Sequence, residues 1–282
     1  MSAPRPMHRY SDALDAMMRA AQRAGESLRA DLANLDRIEI REKGTSDFVS
    51  SADLRSQATI RAALSGAYPG HGLLLEEGDD RAASHGSRFI VDPLDGTTIF
   101  LHGIPHFAVS IALETNGDVV AGVVLDVMKD ELFVAERGGG AWLGERRLSV
   151  SRERDLGRSI VGTGIPHRGR GDHPRYLAAL ASIMADVSGI RRMGAAALDL
   201  AYVAAGRMES FFEIGLAPWD VAAGGLLVAE AGGILSQTGG TSMHLSGDVL
   251  ASANAEIHAA MIARLTQLHV EESIPVPSRI PL

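Results

Sequence analysis

VDPLDGTT, Val91 to Thr98, packs two acids, a proline, a glycine and two hydroxyls into one junction. Pro93 biases Asp92 towards extended backbone. The chain then turns at Asp95-Gly96, where glycine takes a positive φ without strain. Thr97 and Thr98 stand where a helix can begin, with backbone N–H groups left facing outward as a phosphate cradle. Asp92 and Asp95 bracket the turn and can point to the same side. An anion cradle beside two carboxylates is self-defeating unless cations lie between them. Two like charges ~4 Å apart repel by about 4 kcal/mol at an effective dielectric of ~20, and a phosphate dianion multiplies that penalty. The same residues also suit an ordinary Asx-type turn with a threonine cap, and the turn alone does not separate the two readings.

Further acids stand at strand ends and helix starts. GLLLEE (72–77) and RFIVD (88–92) read as short buried strands that deliver carboxylates at their C-terminal ends. PWDVAAG places Asp220 in the first turn of a helix, where an acid also complements the helix dipole by ~0.3–1 kcal/mol. The chain has no cysteine, which excludes disulfides, thiolate catalysis and zinc–thiolate sites. With no obvious histidine ligand beside the turn, an all-oxygen donor set favours a hard ion, Mg²⁺ or Mn²⁺.

Periodicity predicts an amphipathic helix over 10–32, a short strand over 38–41, a polar, turn-rich stretch, and a helix over 52–67 ended by Tyr68-Pro69-Gly70. An antiparallel meander is expected over 107–148. SIVGTG (159–164) and MESFFEI read as strands. Helices are expected after Asp172, over GAAALDLAYVAAGR, over PWDVAAGGLLVAE with Pro218 in its first turn, and over 255–268. VLASAN precedes the last of these, and the proline-bearing tail 269–282 reads as a strap. Together these predict mixed sheets sandwiched between helices. The division falls into a lobe over 1–152 carrying DPLDGTT, a lobe over 153–268 carrying PWDVAAG, and the tail.

The 282 residues carry a formal net charge of −8, which argues against broad nucleic-acid binding. No signal-peptide core and no run of ~18 apolar residues is apparent, so cytoplasm is the expected location, with no membrane partner.

DPLDGTT, with the upstream acid pair of LLLEEG and the downstream PWDVAAG, closely resembles the inositol monophosphatase family of lithium-sensitive, metal-dependent phosphatases. The likeness runs over about 10–268. It implies a layered α-β-α-β-α sandwich of the inositol monophosphatase and fructose-1,6-bisphosphatase type. It implies that Glu76, Asp92, Asp95, Asp220 and the Leu94 carbonyl bind two or three Mg²⁺ ions, with Mn²⁺ a possible substitute. Thr97 and Asp53 would form the relay that activates water for in-line attack, although Asp53 also suits the start of its helix. Gly96 and Thr97 would hold the phosphate, and Gly194, Ala195, Ala196 and Glu213 the substrate hydroxyls. Lys43 would lie near a metal. The implied reaction releases phosphate from a small phosphorylated polyol, foremost myo-inositol monophosphate. Histidinol phosphate, fructose 1,6-bisphosphate and nucleotide phosphates are rivals, and a protein-binding role in RNA metabolism is a rival of another class. The family commonly forms dimers, so a homodimer is expected. The sequence departs from the family at Leu75, where glycine is usual, and at Ile99, where asparagine is usual. His102 and His106 read as ordinary loop histidines, and Arg168 and Arg170 as an exposed basic loop.

Overall fold

The computed structural model describes residues 10–44, 47–166, 171–265 and 268. The first helix, α1 (Asp12–Leu32), is capped by the Ser11 hydroxyl, which accepts from the N–H of Leu14. Leu14, Met17, Ala21, Ala24 and Leu28 form its buried stripe at the expected period. A surface ribbon follows, β1 (Ile40–Gly44) against β2 (Asp47–Ser50). The expected strand at 38–41 thus sits two residues later, and the polar stretch after it hides a second strand. The ribbon was hard to read because all five residues of β1 are exposed, which removes the alternation that marks a half-buried strand. Ser50 then caps α2 (Ser51–Ala67).

Helices α1 and α2 pack together on one face of a seven-stranded sheet. Its strands run in chain order: β3 (Gly72–Leu75), β4 (Ser87–Asp95), β5 (Ala108–Thr115), β6 (Asp118–Asp126), β7 (Glu131–Glu136), β8 (Gly140–Leu143) and β9 (Arg146–Arg147). β3 and β4 are parallel, and the rest is the expected meander. A one-turn helix, α3 (Thr97–Leu101), joins β4 to β5.

The second sheet has the order β11-β10-β12-β14-β13. It comprises β10 (Ile160–Thr163), β11 (Gly189–Arg191), β12 (Ser210–Leu216), β13 (Ile234–Ser236) and β14 (Gly247–Ser252). Helices α4 (His173–Met184) and α7 (Ala255–Leu265) cover its outer face. Between the two sheets lie α5 (Ala196–Ala204) and α6 (Pro218–Glu230). The layers are therefore helix, sheet, helix, sheet, helix, as the resemblance implied.

The middle layer explains its own composition. Every residue of α5 is buried, so apart from Asp199 the helix is apolar nearly all round. Small residues let its neighbours close in. A methyl added to Gly224 of α6 would stand 2.6 Å from Cβ of Leu200, and one added to Gly122 of β6 would stand 3.0 Å from Cα of Ala223. Arg168, Arg170 and the tail 269–282 lie outside the described residues.

Candidate active site

The parallel pairing of β3 with β4 sets the first two acids. Leu75 is in register with Val91, so the next residue on each strand, Glu76 and Asp92, leaves the same end of the sheet. The N–H of Glu76 still donates to the Val91 carbonyl at 3.2 Å. Pro93 supplies no N–H to the ladder, and the pairing of β4 with β5 shifts register between Asp92 and Asp95. That bulge re-aims the strand end. Asp92 Oδ1 accepts from the N–H of Leu94 at 2.9 Å, and the Ser56 hydroxyl ties down the Pro93 carbonyl at 2.7 Å. Gly96 then takes φ +95°, and α3 starts at Thr97 as expected.

Asp220 reaches the same place from α6, in the layer between the two sheets. Ser110 is the ladder partner of Asp92, and its hydroxyl donates to the carbonyl of Trp219 at 3.1 Å. One β5 residue thus fixes α6 beside the β4 bulge. Asp220 itself caps α6, accepting from the N–H of Ala217 at 2.7 Å. Both sequence-level roles of this acid are therefore compatible. Asp95 does the same for α5 in trans. The cap residue Ala195 has no acceptor side chain, and Asp95 Oδ2 takes the N–H of Ala197 at 2.8 Å.

Thr97 and Asp53 meet. The Thr97 hydroxyl lies 2.9 Å from Asp53 Oδ1 and 3.1 Å from the Leu94 carbonyl. The other carboxylate oxygen of Asp53 accepts from the backbone N–H of Ser50 at 2.9 Å and from its hydroxyl at 2.5 Å. Asp53 is thus a helix-capping residue and a partner of Thr97 at once. Burial raises its pKa, against the hydrogen bonds from Ser50 and Thr97.

The electrostatics are one-sided. Asp92 and Asp95 are 2% and 8% exposed. Burial lifts both carboxyls well above the usual range, and the charged neighbours that act most strongly on them are acids: Glu76, Asp95 and Asp220 on Asp92, and Asp220, Glu213 and Glu76 on Asp95. Burial also pushes Glu76 up to about 7, opposed by its hydrogen bond with Asp92 and then by Lys43. Lys43 Nζ stands 2.7 Å from Glu77 and 3.5 Å from Glu76, at the edge of the group. Among the described residues, no three histidine or acidic side chains form a ready-made ion cage. Asp92, Asp95 and Asp220 are each held by a backbone N–H instead, and their charges repel. Buried acids facing acids, all with oxygen donors and no base between Asp92 and Asp95, nonetheless suit hard divalent cations, which would remove a penalty of several kcal/mol.

The substrate-side residues lie next to this group. A methyl on Gly96 would stand 3.4 Å from the carbonyl oxygen of Gly194, so the turn abuts the start of α5. Gly194 has φ +93°. Glu213 follows Phe211-Phe212 on β12, and a side chain on Gly164 would occupy the place of its carboxylate. Burial pushes Glu213 up to about 7, opposed by Arg192. His102 is exposed and bonds the Thr98 carbonyl, while His106 packs near the Tyr202 ring; neither joins the acids.

Three contributors escaped the sequence reading: Ser110, Arg192 and Asp199. Asp199 is 1% exposed, its Oδ1 has no hydrogen-bond partner, and Glu213 and Asp95 add to the burial that raises its pKa. An acid inside the alanine-rich run ALDL was the available signal. Ser110 gave none, because its role depends on a cross-strand register.

The family model described as the inositol monophosphatase family matches residues 10–270. The chain belongs to the inositol monophosphatase family. It is a phosphatase of a family that is metal-dependent, generally on Mg²⁺. An inositol-1-monophosphatase of Mesorhizobium japonicum is 51% identical over 254 residues, 88% of this chain and 94% of that one. A protein of Pseudomonas aeruginosa named Nus factor SuhB is 43% identical over 266 residues, 93% of this chain and 98% of its own. Among solved structures, the extragenic suppressor protein suhB of Bartonella henselae superposes with a TM-score of 0.88 at 45% identity, covering 94% of this chain and all of that one.

Proposed function

We propose that this phosphatase hydrolyses the monophosphate ester of a small polyol, myo-inositol monophosphate first among them, by direct in-line attack of water. The observation that carries the reading is the Thr97–Asp53 hydrogen bond set beside the β4 bulge, where buried Asp92 and Asp95 are acted on by Glu76 and Asp220. Thr97 donates its proton to Asp53 Oδ1, which leaves its oxygen lone pairs to accept a hydrogen bond from the attacking water. The proton lost by water passes through the Thr97 hydroxyl to Asp53, whose buried carboxylate has the raised pKa a general base needs. The first N–H groups of α3 have no acceptor within the helix and face the phosphate. Mg²⁺ held by Glu76, Asp92, Asp95, Asp220 and the Leu94 carbonyl, with Mn²⁺ as a substitute, supplies charge neutralisation and Lewis acidity at the phosphoryl oxygens. Glu213 and the start of α5 at Gly194, Ala195 and Ala196 take the hydroxyls of the leaving alcohol.

The two lobes, 1–152 and 153–268, each contribute part of this site, and we take the working form as a lithium-sensitive cytoplasmic homodimer. The test is phosphate release from myo-inositol 1-phosphate, histidinol phosphate, fructose 1,6-bisphosphate and a nucleoside 3′-phosphate, with MgCl₂ and with EDTA. Fastest release from the inositol ester, abolished by EDTA, is expected. A dominant preference for a bisphosphate overturns the polyol assignment.

The relatives named Nus factor SuhB favour a second role, binding a protein partner in RNA metabolism. Asp95→Asn in cells separates the two. An unchanged phenotype with a dead enzyme assigns the biology to binding.

A further inference from the structure

We propose that Ile99 is a specificity-determining residue: it adds an apolar wall to the leaving-alcohol side of the site, so this chain prefers esters whose alcohol presents an apolar ring face. The inference rests on the phosphatase reading above and deepens it.

Ile99 lies in the one-turn helix that opens at the phosphate turn, two residues after Thr97. The side chain is half-buried and does not simply point to the core. A methyl added to Gly194 would collide with Cδ1 of Ile99 and with Nη1 of Arg192. The isoleucine and the guanidinium therefore converge on Gly194, the glycine that precedes the substrate-side end of α5. The place is fixed. The Ile99 carbonyl accepts from the N–H groups of His102 and Ile104, closing the helix end, and the Gly194 carbonyl abuts Gly96. An alcohol that leaves the phosphate at Gly96 and Thr97 and reaches towards Gly194 meets an aliphatic surface with a planar cation beside it. That pairing favours a ring that turns a C–H face to the isoleucine while its hydroxyls reach Glu213 and the start of α5, because aliphatic contact rewards desolvation and the guanidinium stands beside the same face. An asparagine there would offer a donor and an acceptor to hydroxyls instead.

The magnitude is modest. Contact equivalent to one or two methylene groups gives about a tenfold preference, which is about 1.4 kcal/mol.

The experiment compares kcat/KM for phenyl phosphate and glycerol 2-phosphate in saturating MgCl₂, for the full chain and for Ile99→Asn and Ile99→Leu. Each variant's ratio is read against the unmodified chain's, which cancels the intrinsic reactivity of the two esters. Ile99→Asn is expected to move the ratio about tenfold towards the glycerol ester, mainly through KM, and Ile99→Leu less than threefold. An unmoved ratio in Ile99→Asn overturns the proposal, as does an equal loss on both esters, which would mark Ile99 as a packing residue only. If Ile99→Asn does not fold by thermal melt, Ile99→Thr carries the same expectation. Should the unmodified chain release phosphate from neither of these esters nor from myo-inositol 1-phosphate, the polyol-phosphate reading falls and this inference falls with it; release from the inositol ester but from neither comparison ester overturns the inference alone. Release with an unmoved ratio sinks the inference alone.

Discussion

Replacing Asp92 with asparagine should stabilise the metal-free protein while destroying its activity. The substitution removes one negative charge and leaves an amide N–H₂ to donate where Asp92 now shares a hydrogen bond with Glu76. Asparagine keeps the Oδ1 acceptor that holds the N–H of Leu94 at 2.9 Å, and its volume suits a position that is 2% exposed. What disappears is repulsion from Glu76, Asp95 and Asp220. Each full charge at ~4 Å would cost about 4 kcal/mol at an effective dielectric of ~20, and about half that at ~8 Å. Part of this is already relieved because burial favours protonation of Asp92. A net gain of about 1–3 kcal/mol is expected, or roughly 2–8 °C in Tm for a fold of this size. Magnesium should invert the order. Ligand at a hundred times its Kd stabilises the native state by about 2.7 kcal/mol, and the variant forgoes most of that. The assay is a pair of thermal melts at pH 7.5, one in EDTA and one in MgCl₂, beside a phosphate-release measurement. A variant that melts below the unmodified chain in EDTA would refute the view that these acids repel one another at a price in stability.

Thr97→Ala should lower kcat by about 10²–10⁴-fold, the range of a lost acid–base relay, whereas Thr97→Ser should retain most of it; steady-state kinetics checks both. Gly164→Ala would push aside the Glu213 carboxylate and should raise KM for inositol 1-phosphate about tenfold with a smaller change in kcat. His258 is buried between the hydroxyls of Ser236 at 3.0 Å and Ser252 at 3.1 Å, and burial lowers its pKa. The unfolded chain therefore binds the proton first, so stability should be lost as pH falls below the ordinary histidine pKa of ~6.5 towards the lower folded value. Melts of the unmodified chain and of His258→Gln at pH 7.5 and 5.5 test this, and the unmodified chain should show the larger drop.

Much of the layered fold could be read from the chain because its elements bury distinct faces. The stripe of α1 follows a period of 3.6, and the meander shows as apolar runs broken by turns, with β5 and β6 buried along most of their length. The apolar α5 and α6 stood out by their small residues, which the two flanking sheets require. What stayed hidden depended on register or on polarity. The β1–β2 ribbon has no buried face on its first strand, and β11 is only three residues long. The acids of the site were visible as motifs, since Glu76, Asp92, Asp95 and Asp220 each end a strand or open a helix. Their meeting was not, because it rests on Leu75 pairing with Val91 and on Ser110 reaching Trp219. Asp53 shows why a residue type alone is ambiguous: one oxygen caps a helix and the other serves Thr97. The trans-cap from Asp95 to Ala197 joins residues about a hundred positions apart in sequence and left no local mark.

The central claim is that carboxylates from separate segments hold hard cations at the VDPLDGTT turn. Anomalous diffraction from a crystal soaked in Mn²⁺ tests it most directly. Peaks at about 2.0–2.3 Å from oxygens of Asp92 and Asp95, with Glu76 and Asp220 completing the shells, are predicted. Manganese bound elsewhere, with Asp92 and Asp95 left without an ion, would contradict the account.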